Sequence, residues 1–390
     1  MDNSEKSVIM IASTASMIWH FNKRNIKSLI QRGYRVHVAA NFKEYGAMSA
    51  SENENLKKWL NDNNVKWHQV DFGRRLGTIS GNIKSIRQLN RVFSTNEFDF
   101  SHVHSPLGSI IGRLVSKFHK VDSIYTCHGF HFFPGGPISG WLVFYPLEWV
   151  FALLTHTVVV INSEDEMLAN EMPYKRVERI FGNGTKVRQS FEVIESDKIR
   201  NRQSVRKELE LCDDDFVMLS VGELSVRKNH IVVLKALEVL KRQGIKPKYL
   251  IAGVGSNREY LVNKIEELGL DGQVSLLGFR TDIRNLNHAS DLFVFPSLRE
   301  GLGIAGLDAV SDGLYILGSK YGGIKDYVFD ETIGQLIDPN DIEKLAQSIK
   351  TRIENRHQNG PISSAVKTGL LQFDEQQTDE KMRNVYRSIL

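Results

Sequence analysis

Short apolar runs alternate with amphipathic stretches along the whole chain, and this alternation constrains the fold more than any other feature. Val8–Ser13 reads as a first strand, and Phe21–Arg32 as the helix after it, ended by Gly33. Arg35–Asn41, Phe98–His104, Ser123–Cys127 and Thr157–Ile161 read as further strands. The second half repeats the pattern. Phe216–Val221 precedes a helix over His230–Gln243, followed by Tyr249–Ala252, Val274–Leu277, Leu292–Phe295 and Tyr315–Gly318. Strands that alternate with helices predict parallel sheets joined by right-handed crossovers. Two such halves in 390 residues predict an α/β chain of two doubly wound, Rossmann-like domains facing a cleft. The expected divisions are 1–190, 191–375 and a final segment 376–390, with polar Ser190–Asp215 as the linker.

Composition excludes the fibrous, disordered and disulfide-framework classes. Hydrophobic residues make up 41% and charged residues 25% of the chain, as in ordinary folded domains. Two distant cysteines, Cys127 and Cys212, suit a reducing compartment. Met1–Ser7 is polar and the apolar run after it is short, so no signal peptide is expected. Charge is uneven. Residues 1–190 hold 23 Lys+Arg and 16 Asp+Glu, a balance of +7, and residues 191–390 hold 27 and 30, a balance of −3. The basic half predicts an anionic partner; a nucleic-acid partner is not expected.

Ligands of doubly wound sheets bind beyond the carboxyl ends of the strands, and the chemistry-bearing residues fall there. Gly222 opens the segment GELSVRKNH, in which Arg227 and Lys228 precede an apolar helix. Two cations at a helix start oppose the helix dipole, so an anion is expected between them. Gly253 and Gly255 of AGVGS permit close backbone approach, and Arg280 of LGFRTDI is placed to frame a base. In VFPSLREGLGIAGLDAVSDG, Glu300 ends a strand–loop and Gly301 and Gly303 open a helix. Exposed amides and the positive end of the helix dipole make an anion site there, and Asp308 follows Glu300 by eight positions. Phosphate donors beside hydroxyl acceptors describe a nucleotide-sugar pocket.

In that order, GELSVRKN, AGVGS, LGFRTDI and FPSLREGLGIAGLDA resemble the donor-site motifs of the family-4 retaining glycosyltransferases, which have the GT-B fold. HVHSPLGSIIGRL and YTCHGFHFFPG resemble a subgroup that builds bacterial exopolysaccharide, capsule or O-antigen, and FDEQQTDEKMRNVYRSIL resembles the family's last helix, which returns to the first domain. The resemblance implies a nucleotide-diphosphate donor, expected to be a UDP-sugar, with no cofactor. Glu300 and His128 would be catalytic. Gly222, Arg227, Lys228, Gly255, Arg280, Leu302, Gly303, Ile304 and Asp308 would bind the donor, with Asp308 on the ribose and His128 approaching the transferred sugar. It implies retention of anomeric configuration, and no metal is required if Arg227, Lys228 and the amides stabilise the leaving diphosphate. The acceptor would be a polyprenyl-diphosphate-linked saccharide, met in the cytoplasm at the inner face of the cell membrane. Two other functions remain open: a nucleotide-sugar epimerase of the same fold, and a non-catalytic partner subunit.

Three departures bear on that pattern. Glu223 stands where the family often has Arg, Asp308 is one methylene shorter than the usual Glu, and STASM at Ser13–Met17 lacks the usual glycines. His102 and His104 alternate along one strand and are expected on opposite faces. Gly140–Leu154 is aromatic and apolar but too short to span a bilayer. It is expected either to pack in the core or, beside Arg113, Lys117 and Lys120, to touch the membrane surface.

Overall fold

The computed structural model describes residues 6–73, 77–104, 106–356 and 362–389. The polar start of the chain, 1–5, and Ser105 of HVHSPLGSIIGRL lie outside the described residues. The chain divides into two units, residues 1–183 with 378–390, and residues 184–377.

The first unit holds seven strands: β1 (Ser7–Thr14), β2 (Arg35–Asn41), β3 (Lys66–Gln69), β4 (Phe100–His104), β5 (Asp122–Cys127), β6 (Thr157–Val160) and β7 (Arg176–Arg179). They lie in the order β3-β2-β1-β4-β5-β6-β7, every pair parallel. Alternate residues feed two separate cores. Ile9, Ile11, Val103 and Val158 pack on one face, while Val8, Met10, Phe100 and Val159 pack on the other. A strand buried on both faces is mostly apolar, which makes runs such as β1 and β6 visible in the sequence, although β4 also buries Ser101, His102 and His104. The second unit has six parallel strands: β8 (Val217–Val221), β9 (Lys248–Ala252), β10 (Val274–Gly278), β11 (Leu292–Phe295), β12 (Ile316–Ser319) and β13 (Gly334–Ile337). Their order is β10-β9-β8-β11-β12-β13. The strand order reverses between β8 and β11, where Phe293 lies opposite Leu219. A crevice opens at such a switch point, beyond the carboxyl ends of the two strands.

Several expectations change. Ser190–Asp215 is not a linker. It contains the helices Val187–Glu192 and Glu195–Glu208, and the chain enters the second unit at Gly184. The polar helix is stitched down by charge rather than by apolar burial. Arg206, 2% exposed, donates to the Cys212 carbonyl at 2.7 Å, the Ala289 carbonyl at 3.0 Å and the Asp291 carboxylate at 3.0 Å. His102 and His104 share a face, because side chains two apart on a strand point the same way. Their ring centroids are 4.1 Å apart. The Phe21–Arg32 helix is interrupted. A wide π-helical turn spans Ile18–Asn22, and regular helix runs over Lys23–Ile30.

The 140–154 segment divides between core and surface. Gly140–Phe144 forms a second π turn and Tyr145–Ala152 a helix. Trp141, Phe144 and Tyr145 pack on the core, while Leu142, Val143, Trp149 and Val150 are exposed. Arg113 does not belong to a basic surface. It is fully buried and paired with Glu148 at 2.5 Å, and the Tyr174 hydroxyl donates to the same carboxylate at 2.6 Å. Removing one partner of such a buried pair costs about 3–5 kcal/mol, because the other charge is stranded. Among the described residues no helix is long and apolar enough to cross a membrane. The C-terminal helix Glu375–Ser388 places Met382, Val385 and Tyr386 in the first unit's core, and Arg24 pairs with Asp379 at 2.7 Å.

Candidate functional site

The site of the second unit is built on β8 and β11. β8 leads into Gly222, whose φ of +154° and lack of a side chain leave room for Lys228. A Cβ at position 222 would stand 2.9 Å from Lys228 Cε. The turn Val226–Lys228 is 3₁₀, and Asn229 follows at φ 55°. An asparagine tolerates that left-handed conformation better than most residues. Its amide donates to the Pro296 and Pro339 carbonyls at 3.2 and 2.7 Å, tying three strand-end loops together. Leu298 N–H donates to the Arg227 carbonyl at 2.8 Å, which brings the loop after β11 against this turn.

Glu300 is thereby carried onto both cations. Its Oε1 lies 2.8 Å from Lys228 Nζ and 2.8 Å from Arg227 Nη1. Glu300 and Lys228 are 7% and 9% exposed, whereas the Arg227 side chain is half exposed. Burial lowers the pKa of Lys228, and the Glu300 carboxylate opposes that shift. Lys228 also stands 4.5 Å from the centre of the Phe295 ring. The Glu223 carboxylate also acts on Lys228, and the loop that carries Glu300 leads into a helix start.

The helix Ile304–Ser311 begins after Gly303, whose φ is 80°. A Cβ at position 303 would come within 2.9 Å of the Phe295 ring. The Tyr327 hydroxyl fixes the Gly303 carbonyl at 3.0 Å. Among the described residues the N–H groups of Leu302, Gly303 and Ile304 have no backbone acceptor. Such amides point at whatever lies before the helix. Gly322 and Gly323, which sequence reasoning passed over, support this loop. Gly323 N–H donates to the Glu300 carbonyl at 3.1 Å, and a Cβ on either glycine would strike the loop backbone. The signal was available as a Gly-Gly pair just past a strand.

Gly253 and Gly255 permit the close backbone approach expected of them. A Cβ on Gly253 would strike the Gly222 carbonyl, and one on Gly255 would strike that of Leu224. Both glycines let loop pack on loop. Arg280 gives its guanidinium to Glu208 at 2.6 Å and to Asp282 at 2.8 and 2.7 Å, so the side chain is held within the protein. Beside it Phe279 is 75% exposed. Asp308 lies in the second helical turn, half-buried, and accepts the Thr185 hydroxyl. Burial pushes its carboxyl up to about 6, opposed by the Thr185 bond.

His128 lies in the first unit, directly after β5. Its Nε2 is 3.4 Å from His104 Nδ1, and Phe21 packs 5.7 Å from its ring. Burial lowers its pKa to about 4, so the imidazole is neutral at physiological pH. It lines a cavity of about 280 Å³ with Ser109, Tyr125, His131, Phe144 and Glu148. His102 is fully engaged, by Tyr386 at 2.9 Å and Thr126 at 2.8 Å. Among the described residues no group of three or more His, Cys, Asp or Glu is arranged to hold a metal ion.

Two family models match the chain in order. Residues 19–184 match the glycosyl transferase 4-like domain, and residues 201–367 match the glycosyl transferases group 1 domain. The chain is 28% identical to the putative glycosyltransferase EpsD of Bacillus subtilis (strain 168), over 96% of each chain. It is also 28% identical to an Escherichia coli protein, UDP-Gal:alpha-D-GlcNAc-diphosphoundecaprenol alpha-1,3-galactosyltransferase, over 75% of this chain and 76% of the relative. Among solved structures, Anabaena Alr3699/HepE, in complex with UDP and glucose, superposes with a TM-score of 0.74 at 18% identity, covering 98% of this chain and 100% of that one. WaaG, a glycosyltransferase involved in lipopolysaccharide biosynthesis, gives 0.65 at 16% identity, covering 97% and 99%. These likenesses identify the two-domain architecture as GT-B.

The raised carboxyl of Asp308 has a stability consequence. A folded pKa near 6 against an unfolded value near 3.9 means the native state holds its proton longer. The resulting stability is present below about pH 4 and is lost as pH rises through about 6, a change of about 3 kcal/mol. Asp308→Asn should therefore unfold at a higher temperature than the wild type at pH 7.5, and the difference should vanish near pH 4. Thermal denaturation at both pH values checks this, and a variant no more stable than wild type at pH 7.5 contradicts it.

Proposed function

The chain belongs to the two-domain glycosyltransferases with a 4-like first domain and a group 1 second domain, and from that premise we propose that it moves a sugar from a nucleotide diphosphate to a growing surface glycan. One observation carries the reading: the buried Glu300 carboxylate clamped by Lys228 and Arg227, beside the helix start at Leu302–Ile304. The cations and amides suit a diphosphate, and a carboxylate next to them suits sugar hydroxyls. The donor is a UDP-sugar in this reading. The E. coli relative is named for transfer from UDP-Gal to a diphosphoundecaprenol-linked sugar, which supports that donor class and a polyprenyl-diphosphate-linked acceptor. The glycan is a bacterial surface polysaccharide, as in the subgroup the motifs resemble.

The chemistry follows from charge. The anomeric C–O bond breaks with its electron pair passing to the diphosphate, and positive charge builds on the sugar. Lys228, Arg227 and the amides of Leu302, Gly303 and Ile304 stabilise the leaving oxygens. Preorganised donors of this kind are worth about 3–4 kcal/mol each. An acceptor hydroxyl forms the new C–O bond on the same face, and its proton goes to a donor phosphate oxygen. Retention and metal independence belong to the proposal. Glu300 fixes the lysine and accepts hydrogen bonds from the donor sugar, Asp308 holds the ribose, and exposed Phe279 offers a ring to the base. Neutral His128 offers the first unit's hydrogen bond to a sugar hydroxyl.

For a lipid-linked acceptor, the exposed Leu142, Val143, Trp149 and Val150 supply an apolar face, in a unit that also exposes Lys117 and Lys120. This face would rest on an anionic membrane surface. Co-sedimentation with anionic vesicles should fall with salt and fall further in Leu142→Ser with Trp149→Ser. Absence of binding at low salt would remove the membrane from the account.

Lys228→Ala tests the donor assignment. Loss of a charge-assisted phosphate contact should weaken UDP binding about ten- to hundredfold. Uridine binding, which lacks that contact, should hardly change. Calorimetric titration of both ligands decides it, and equal losses for UDP and uridine would contradict the phosphate role.

A further inference from the structure

Asp308 is held by a residue that no motif pointed to. Thr185 lies just past the point where the chain enters the second unit, and its hydroxyl donates to Asp308 Oδ1. Both main-chain groups of Thr185 are fixed. Its N–H donates to the Phe373 carbonyl at 3.0 Å, and its carbonyl accepts the Glu375 N–H at 2.9 Å. Asp374, between those two, is 2% exposed and caps Arg188 N–H at 3.0 Å and Gln376 N–H at 3.1 Å. A β-branched residue pinned through its backbone has little χ1 freedom, so the hydroxyl is aimed. The same turn reaches the amide loop. Phe373 packs edge-on against Tyr327 at 6.1 Å, and Tyr327 holds the Gly303 carbonyl.

We infer that Thr185 is a positioning residue for donor recognition, occupying Oδ1 of Asp308 so that Oδ2 is presented to the vicinal hydroxyls of the donor's ribose. The inference rests on the reading of Asp308 as the ribose ligand. A short aspartate must bind a diol from a fixed rotamer, because it has less reach than a glutamate. The hydroxyl supplies that fixation, and it also favours the ionised carboxylate that a diol requires. The other groups acting on Asp308 are Asp312, at the end of its own helix, which raises its pKa, and Arg284 of the helix Ile283–Ala289, which lowers it.

The test compares UDP with 2′,3′-dideoxy-UDP by calorimetry, with GDP and its dideoxy analogue substituted if GDP binds the wild type more tightly. Asp308→Asn should weaken UDP about tenfold or more and leave the dideoxy ligand unchanged. Thr185→Val should weaken UDP about three- to tenfold, again with no effect on the dideoxy ligand, and Thr185→Ser, which keeps the hydroxyl without the β-branch, should recover most of that loss. The pH below which UDP binding weakens should also move upward in Thr185→Val, because the carboxylate has lost a donor. The dideoxy ligand carries the same titrating phosphate and serves as the reference. If Asp308→Asn is ribose-selective and Thr185→Val matches wild type, the inference fails while the Asp308 reading stands. If Thr185→Val weakens both ligands equally, its role is structural and the inference fails. If Asp308→Asn fails to discriminate the two ligands, the ribose reading falls and takes the inference with it.

Discussion

A buried carboxylate shared by two cations organises the second unit's strand-end loops. Glu300, Lys228 and Arg227 come from two loops, and the Glu300 carboxylate is held between the two cations. The cost of desolvating them is offset only if the geometry is held closely, and glycines hold it. Gly222 clears the lysine stem, Gly303 lets the chain turn into the helix, and Gly322 and Gly323 lie flat on the Glu300 backbone. A side chain at 222 would meet the Lys228 stem, one at 303 the Phe295 ring, and one at 322 or 323 the Glu300–Leu302 backbone.

Most inner strands are legible in the sequence because they are buried on both faces and largely apolar, and β11, all of it buried, is legible to the residue. The edge strands β3, β7 and β13 are not. KWHQ and RVER are half-buried and polar, and GQLI is half-buried at its two central positions and opens on Gly-Gln, so none carries a pattern that separates it from loop. Ser190–Asp215 was read as linker because its helix buries charge rather than oil, and a buried arginine leaves no periodic trace. Strand-end order places Lys228, Arg227 and Glu300 beyond the same sheet edge, but gives no sign of the direct ion pairs between them. Thr185, Asn229 and the Gly322–Gly323 pair were not anticipated, because their importance lies in contacts across more than 20 to more than 100 residues of chain.

The two units treat their polar groups differently. In the first, burial keeps His102, His104 and His128 uncharged, and Tyr386 of the last helix closes the row through His102. Neutral imidazoles suit hydrogen bonding to hydroxyls. In the second, charges are retained and paired, as Glu300 is with Lys228 and Arg227. The cations of this pair belong to the more acidic half of the sequence, and the basic excess to the first 190 residues.

The central claim is that the Glu300 clamp carries transfer chemistry rather than stability alone. The direct measurement is the turnover of Glu300→Gln against wild type. It would follow labelled sugar from UDP-glucose, UDP-galactose and UDP-N-acetylglucosamine onto a polyprenyl-diphosphate-linked saccharide, with melting temperatures measured on the same preparations. The account predicts a fall in turnover of about a hundredfold or more in a variant that melts close to wild type. Near-normal turnover in a properly folded Glu300→Gln protein would contradict it.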